Sequence, residues 1–200
     1  MTSSRYHVCP SSVSIRAALA AAALTLVTAL PTAAQPTYDY RVLATSKTST
    51  LEKEMNEAAN AGFRFLFVMG GETAIGGSEG VAILTKTGQG GKYAYKLLAT
   101  SKTSTMQKEL QEASDAGFEY RGQTVFKSTF GGDEVVCILE REKEGTPRKY
   151  DYKLVATTKT STLEKEIREA GAAGYEVMGM TVSKTVIGGK ELVAITRKAK

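Results

Sequence analysis

The chain has 200 residues, of which 26 are basic and 21 acidic, so its formal net charge at pH 7 is +5. A charge this close to balance argues against nucleic acid or an anionic membrane as the partner. With one histidine and two cysteines, the chain also has few residues for metal ligation or nucleophilic catalysis.

The first 34 residues have the pattern of an export signal. A positively charged start without acidic residues precedes an apolar run, Ala17–Leu30, which is shorter than the roughly 20 residues that a membrane-spanning helix needs. Pro31 ends the run, and Thr32-Ala33-Ala34 offers the small residues of a cleavage site. We predict a signal peptide over residues 1–34 and a periplasmic or extracellular protein. A retained anchor is the alternative, because the charged start is unusually long.

Cleavage after Ala34 would change the available chemistry. It would remove His7 and Cys9, leaving Cys137 as the single cysteine and no internal disulfide. It would also remove Arg5 and Arg16, leaving 24 basic against 21 acidic residues and a net charge of +3. We therefore expect the stability of the mature chain to come from packing.

The mature chain consists of three copies of one unit. Similar segments begin at Tyr38, Tyr93 and Tyr150 and read YDYRVLATSKTSTLEKEMNEA, YAYKLLATSKTSTMQKELQEA and YDYKLVATTKTSTLEKEIREA. Internal similarity at a fixed period is typical of repeat proteins. The predicted repeats span residues 35–88, 89–144 and 145–200.

The sequence pattern of each unit predicts a strand followed by a helix. In Tyr38–Thr45 polar and apolar residues alternate, as in a strand with one buried face. Ser49 and Glu52 then match a capping box, as do Ser104 with Gln107 and Ser161 with Glu164. An apolar stripe at helical spacing follows, and Gly62, Gly117 or Gly174 stands where a helix ends in a left-handed residue. The stripes are Leu51, Met55, Ala58; Met106, Leu110, Ala113; and Leu163, Ile167, Ala170.

Two further strands complete each unit, joined across the double glycines Gly76-Gly77, Gly131-Gly132 and Gly188-Gly189. The last strand is apolar on both faces and should lie inside the sheet. We predict an α+β fold of three β-α-β-β repeats, each a three-stranded mixed sheet of order 1-3-2 with one helix on one face. Because one unit is too small to be stable by itself, the repeats should pack together, through the sheet faces away from the helices or edge to edge.

The unit resembles a family of short bacterial domains of unknown function. The resemblance lies in the Tyr-x-Tyr-Lys/Arg start, the Leu-Glu-Lys-Glu helix and a helix exit that typically reads Gly-Trp-Glu, here with Phe63, Phe118 or Tyr175 for tryptophan and Arg64 for the first glutamate. The unit is also similar to small enterobacterial periplasmic stress and biofilm proteins, which have a leader and β-α-β-β units. Both resemblances imply fold and export, and neither implies an activity.

The residues of the mature chain do not suggest catalysis. Without histidine, Ser-His-Asp triads, Cys-His pairs and histidine-ligated metals are excluded. Cys137 aligns with Ala82 and Ala194 in an apolar strand, which is typical of a buried core residue. The helix carboxylates are spread along a solvated surface beside lysines. We predict no catalytic residues, no metal site and no cofactor.

The loop before each helix is the first candidate binding site. Its sequence Ala-Thr-Ser/Thr-Lys-Thr-Ser-Thr is nearly unchanged in the three units, and free amides, hydroxyls and one lysine could hold a small anion at the positive helix end. Capping and recent duplication explain the same pattern without a ligand. The candidate residues are Lys47, Thr48, Ser49, Lys102, Thr103, Ser104, Lys159, Thr160 and Ser161.

The paired tyrosines at the start of each unit are the second candidate. Two residues apart on a strand, they share a face and could stack on a sugar or a partner. Because Val42 and Ala44 continue this face, packing beneath the helix is the favoured interpretation. The pairs are Tyr38/Tyr40, Tyr93/Tyr95 and Tyr150/Tyr152.

These observations favour an exported, non-enzymatic binding or interaction module of the cell envelope or secreted space. Its partner would be a protein, a glycan or a small anion. A structural, self-assembling envelope protein is the first alternative, because the units are small and expose strand edges. Binding of small anions or glycans at the three loops is the second.

Overall fold

The computed structural model describes residues 37–73, 77–88, 90–127, 133–184 and 190–200. Residues 37–200, which contain all three repeats, pack into one compact body. The elements in chain order are β1 Tyr40–Thr45, α1 Thr48–Asn60, β2 Phe63–Thr73, β3 Gly77–Lys86, β4 Tyr93–Thr100, α2 Thr103–Asp115, β5 Glu119–Lys127, β6 Asp133–Glu142, β7 Tyr150–Thr157, α3 Thr160–Ala172, β8 Glu176–Lys184 and β9 Lys190–Ala199. No helix in the described part of the chain is long and apolar enough to cross a membrane.

The three repeats share the predicted topology. Their sheets have the strand orders β1-β3-β2, β4-β6-β5 and β7-β9-β8, and every pairing is antiparallel. The first two strands of each repeat therefore run in the same direction on either side of the third. This confirms the order 1-3-2 and the β-α-β-β repeat. Of the double glycines, Gly77 lies within β3, whereas Gly76, Gly131-Gly132 and Gly188-Gly189 lie outside the described residues.

The helices end as predicted but begin differently. Gly62, which follows α1, has φ of +89°, and its counterparts in the other repeats are equally left-handed. The predicted capping boxes are wrong. Each helix is capped by a lysine (Lys47 for α1) without a side-chain hydrogen bond, and Ser49, Ser104 and Ser161 lie within the first turn. The turn closes earlier because the Thr45 hydroxyl accepts the Lys47 N–H, and the other two repeats show the same bond.

The central strand of each sheet lies in the core, as its two apolar faces predict. In β6 five consecutive apolar residues, Val135 to Leu139, are buried. One face of a sheet packs on the helix of its own repeat, and in the second and third repeats the other face packs on the helix of the preceding repeat. The sheet face away from the helix is therefore the surface through which the repeats stack, which was one of the two predicted arrangements.

Glycines allow successive sheets to approach each other closely. A Cβ atom on Gly122 of β5 would lie 3.3 Å from Cζ of Phe65 in β2. A Cβ atom on Gly179 of β8 would overlap the Tyr120 hydroxyl and lie 3.1 Å from its Cζ. Each junction thus seats an aromatic ring of one repeat over a glycine of the next, and a larger residue at the glycine would displace the ring.

The second junction offers a direct test of this packing. Gly179→Ala is expected to lower the free energy of unfolding by about 1–3 kcal/mol, because the buried Tyr120 ring must move. Gly71→Ala is the matched control, since its Cβ would meet no atom within 4 Å. Urea unfolding of both variants measures the difference. Equal stability of the two would contradict the close approach at Gly179.

Candidate functional site

The structure places the nine predicted loop residues at three separate helix N-termini, one in each repeat. Lysine is the N-cap, threonine the first helical residue and serine the second. Most of the nine are exposed, and Thr48 and Thr103 are half-buried. The Thr103 hydroxyl donates to a carboxylate oxygen of Glu191 in the next repeat, at 2.7 Å. At α2 the chain thus supplies its own anion, and binding of a free anion at these loops stays a prediction.

The tyrosine pairs occupy the sheet face away from the helix of their own repeat. Tyr95 and Tyr152 are 3% and 5% exposed, because the preceding helix covers them. Tyr40, in the equivalent position of the first repeat, is 55% exposed. Packing beneath the repeat's own helix was therefore the wrong expectation. A helix from the neighbouring repeat buries this face, and no described repeat precedes the first.

Within the described part of the chain, the first repeat consequently carries an apolar sheet face that no helix covers, which we call the head face. It combines β1 with parts of β2 and β3. It also includes Tyr38 and Tyr40, whose rings stack with centroids 6.1 Å apart. Monomeric proteins rarely expose large contiguous apolar patches without a function. The exposed apolar residues of this face are Tyr38, Tyr40, Val42, Phe67, Met69 and Ile83.

Side chains of α1 and α2 cover the free edge of the next sheet. Asn56 of α1 donates its side-chain amide to the Tyr95 carbonyl and accepts the Tyr95 N–H through its oxygen. Glu52 accepts the Leu97 N–H at 2.7 Å. Gln107 and Gln111 of α2 form the corresponding bonds to β7. The helix thus satisfies backbone groups that would otherwise remain open at a strand edge.

On the side of the third repeat that faces away from the second, no described element covers helix α3. We call its outer surface, together with Val177 at the start of β8, the tail face. Helix α3 carries Glu164, Arg168 and Gly171 where α1 has Glu52, Asn56 and Ala59. These three residues are exposed, and the Arg168 guanidinium lies 2.7 Å from the Glu164 carboxylate. Whereas α1 and α2 each bury four residues, α3 buries two.

A charged groove lies at the junction of the first and second repeats. It has a volume of about 370 Å³ and is lined by Arg64, Tyr93, Glu140 and the linker before β7. Arg64 donates three hydrogen bonds to the buried Glu140 carboxylate, which raises the pKa of Arg64 above its ordinary value. The Tyr95 hydroxyl also donates to Glu140 at 2.9 Å. The central charges of the groove are thus already paired within the protein.

The second junction has a related arrangement with the charges exchanged, although Arg197 donates its hydrogen bond to Glu176 of its own repeat, at 2.7 Å. Glu119 replaces Arg64, and Arg197 replaces Glu140, with 3.8 Å between their charged groups. The guanidinium nevertheless lies over the equivalent ring in both junctions, Arg64 over Tyr93 and Arg197 over Tyr150. This exchange identifies the ionic groups as parts of the repeat junctions, a role that was missed from the sequence. Comparing aligned positions for opposite charges could have found it.

The described residues offer little for covalent or metal chemistry. Cys137 is fully buried, and burial raises the pKa of its thiol to about 12. Among the described residues no three His, Cys, Asp or Glu side chains lie close enough together to hold a metal ion. The site that stands out is the head face.

Comparisons with protein-family models, with curated protein sequences and with solved structures found no match to this chain.

Exchanging the charges of the first junction tests whether Arg64 and Glu140 act as a pair. Glu140→Arg is expected to lower the free energy of unfolding by about 2–3 kcal/mol, because it places like charges together at a mostly buried site. Adding Arg64→Glu recreates the polarity of the second junction and should recover much of the loss. Urea unfolding of both single variants and the double variant gives the coupling energy. Strictly additive losses would show that the pair does not couple.

The thiol of Cys137 should be inert in the folded protein. At pH 8 a thiol with a pKa near 12 carries almost no thiolate, and its sulfur is also inaccessible. Residues 35–200 should react with Ellman's reagent only as fast as they unfold, whereas a Lys53→Cys variant should also react at its exposed new thiol. Rapid labelling of Cys137 without denaturant would contradict its burial.

Proposed function

We propose that the chain is an exported, non-enzymatic interaction module that binds a protein partner through the head face of its first repeat. The observation that carries the proposal is the contrast between equivalent tyrosines. Tyr95 and Tyr152 are buried by a helix, whereas Tyr40 is exposed on the same kind of surface. Export is supported by the signal-peptide pattern of residues 1–34.

The shape of the head face favours a protein over a glycan or a small anion. It is a sheet face beside the edge strand β1, and the equivalent surfaces of the second and third repeats each receive a helix. The covering helix provides an apolar stripe together with side chains that bond the strand edge, as Asn56 does at Tyr95. A matching partner would therefore present an amphipathic helix, which buries its apolar side against the sheet.

The described reactive groups support binding rather than catalysis. Cys137 is fully buried, and burial raises the pKa of its thiol to about 12. Burial raises the pKa of Tyr95 well above its ordinary value while its hydroxyl joins Glu140 to the Phe65 backbone. A hydroxyl held between a carboxylate and a backbone N–H stabilises the junction between the two repeats.

Site-specific photocrosslinking in the expressing cell tests the proposal. A photoreactive amino acid at Met69, which is 73% exposed on the head face, should yield a covalent protein adduct. The matched control is Lys53, an exposed position on the outer side of α1. Additional Val42→Lys should abolish the Met69 adduct, because it places a charge in the apolar contact. A lack of any adduct specific to Met69 would refute the proposed function.

A further inference from the structure

The two ends of the repeat stack correspond to the two halves of an internal junction. At each internal junction a helix and the strand after it, from one repeat, cover the sheet face of the next. The head face is such a sheet face without its covering helix. The tail face is such a helix, with Val177 in the following strand, without a sheet to cover. Both halves of a third junction are therefore present on one chain, at opposite ends of the stack.

Building on the proposed function, we infer that the partner of the head face is the tail face of a second copy of this chain. The copies then associate head to tail, in the register of the two internal junctions. A contact between two different surfaces of identical chains is heterologous, and its repetition gives a closed ring or an open filament.

The strand edge of the head face matches the polar row of α3. Glu164 keeps the carboxylate with which Glu52 accepts the Leu97 N–H, and Val42 occupies the position of Leu97 on β1. Arg168 keeps a donor where Asn56 donates to the Tyr95 carbonyl. The intermolecular junction thus retains an acceptor for the Val42 N–H and a donor for the Tyr40 carbonyl. It lacks the acceptor that the Asn56 side-chain oxygen provides for the Tyr95 N–H.

The tyrosine of the head face also keeps its backbone partner. At the first internal junction the Tyr95 hydroxyl accepts the Phe65 N–H, and at the second the Tyr152 hydroxyl accepts the Tyr120 N–H, both at 2.8 Å. The equivalent pair at the open ends is the Tyr40 hydroxyl and the Val177 N–H. Tyr40 is present and exposed, so it is available to accept this bond from a second copy.

At the open ends the larger and the smaller residue of the contact have exchanged sides. Inside the chain, the rings of Phe65 and Tyr120 rest on Gly122 and Gly179. At the open ends the large and small partners are exchanged: the tail carries Val177 where the others have a ring, and the head carries Phe67 where the others have glycine. A head-to-tail contact therefore pairs a large residue with a smaller one, whereas a head-to-head contact would oppose two Phe67 rings.

Sedimentation velocity of residues 35–200 provides the first test. If the copies associate head to tail, the measured mass should rise with protein concentration in multiples of the mass of one chain. It should keep rising for a filament and stop at one size for a closed ring. Val42→Lys on the head face should weaken association at least about tenfold. Lys53→Glu, on an exposed surface outside both faces, should leave it unchanged. Thermal unfolding of each variant verifies that it is folded.

Pairwise crosslinking then identifies the surfaces. The background is Cys137→Ala, which copies Ala82 and Ala194 at the equivalent buried positions. A short bis-maleimide should join a Phe67→Cys chain to a Val177→Cys chain, and it should join double-variant chains into a ladder of multimers. Each single variant by itself should give no more dimer than a Lys53→Cys chain does.

The possible results separate the inference from the proposed function. A dimer from Phe67→Cys chains without Val177→Cys would overturn the head-to-tail arrangement. A monomer at every concentration would also overturn the inference, and if Met69 still formed an adduct with another protein, the proposed function would stand. A monomer together with no adduct at Met69 would refute both.

Discussion

The structure depends on one packing constraint, namely that an apolar sheet face is buried only where a helix covers it. In the second and third repeats one helix comes from the repeat itself and the other from the repeat before it, whereas the sheet of the first repeat has only its own helix. Burying a large apolar side chain contributes roughly 1.5–3 kcal/mol, so an uncovered sheet face forgoes much of the stability available to a domain of this size. The constraint explains why β6 is apolar on both faces, and why the helices of the first two repeats bury residues on two sides.

The same constraint gives the repeated tyrosines different roles. Tyr95 and Tyr152, which correspond to Tyr40, are part of the core in the second and third repeats. The hydroxyl of each accepts a hydrogen bond from a backbone N–H of the preceding repeat. In the first repeat the same residue type is on the surface. A residue that duplication copies unchanged therefore acquires its role from its place in the stack, and the first copy exposes the sheet face that the second and third repeats bury.

The sequence could predict what depends on a single repeat. The two-sided apolar pattern of β6 placed the third strand at the centre of the sheet, and Gly62 marked the end of α1, because both signals arise from local geometry. The capping box failed because in every repeat a threonine two residues before the lysine N-cap accepts the lysine N–H, so the helix begins before the predicted serine cap. Features shared between repeats require knowledge of which surfaces meet, and this information is not contained in the pattern of one unit.

The two internal junctions show that their contact surface tolerates exchange of its parts. Arg64 with Glu140 becomes Glu119 with Arg197, and each pair keeps a guanidinium over a tyrosine ring. The positive and the negative residue of a junction can therefore exchange places as long as both change together. The exchange of large and small residues between Phe67 and Val177 follows the same rule at the open ends. Some of the substitutions at the ends fit a head-to-tail junction, such as Val177 opposite Phe67, whereas Arg168 gives up the acceptor that Asn56 provides inside the chain.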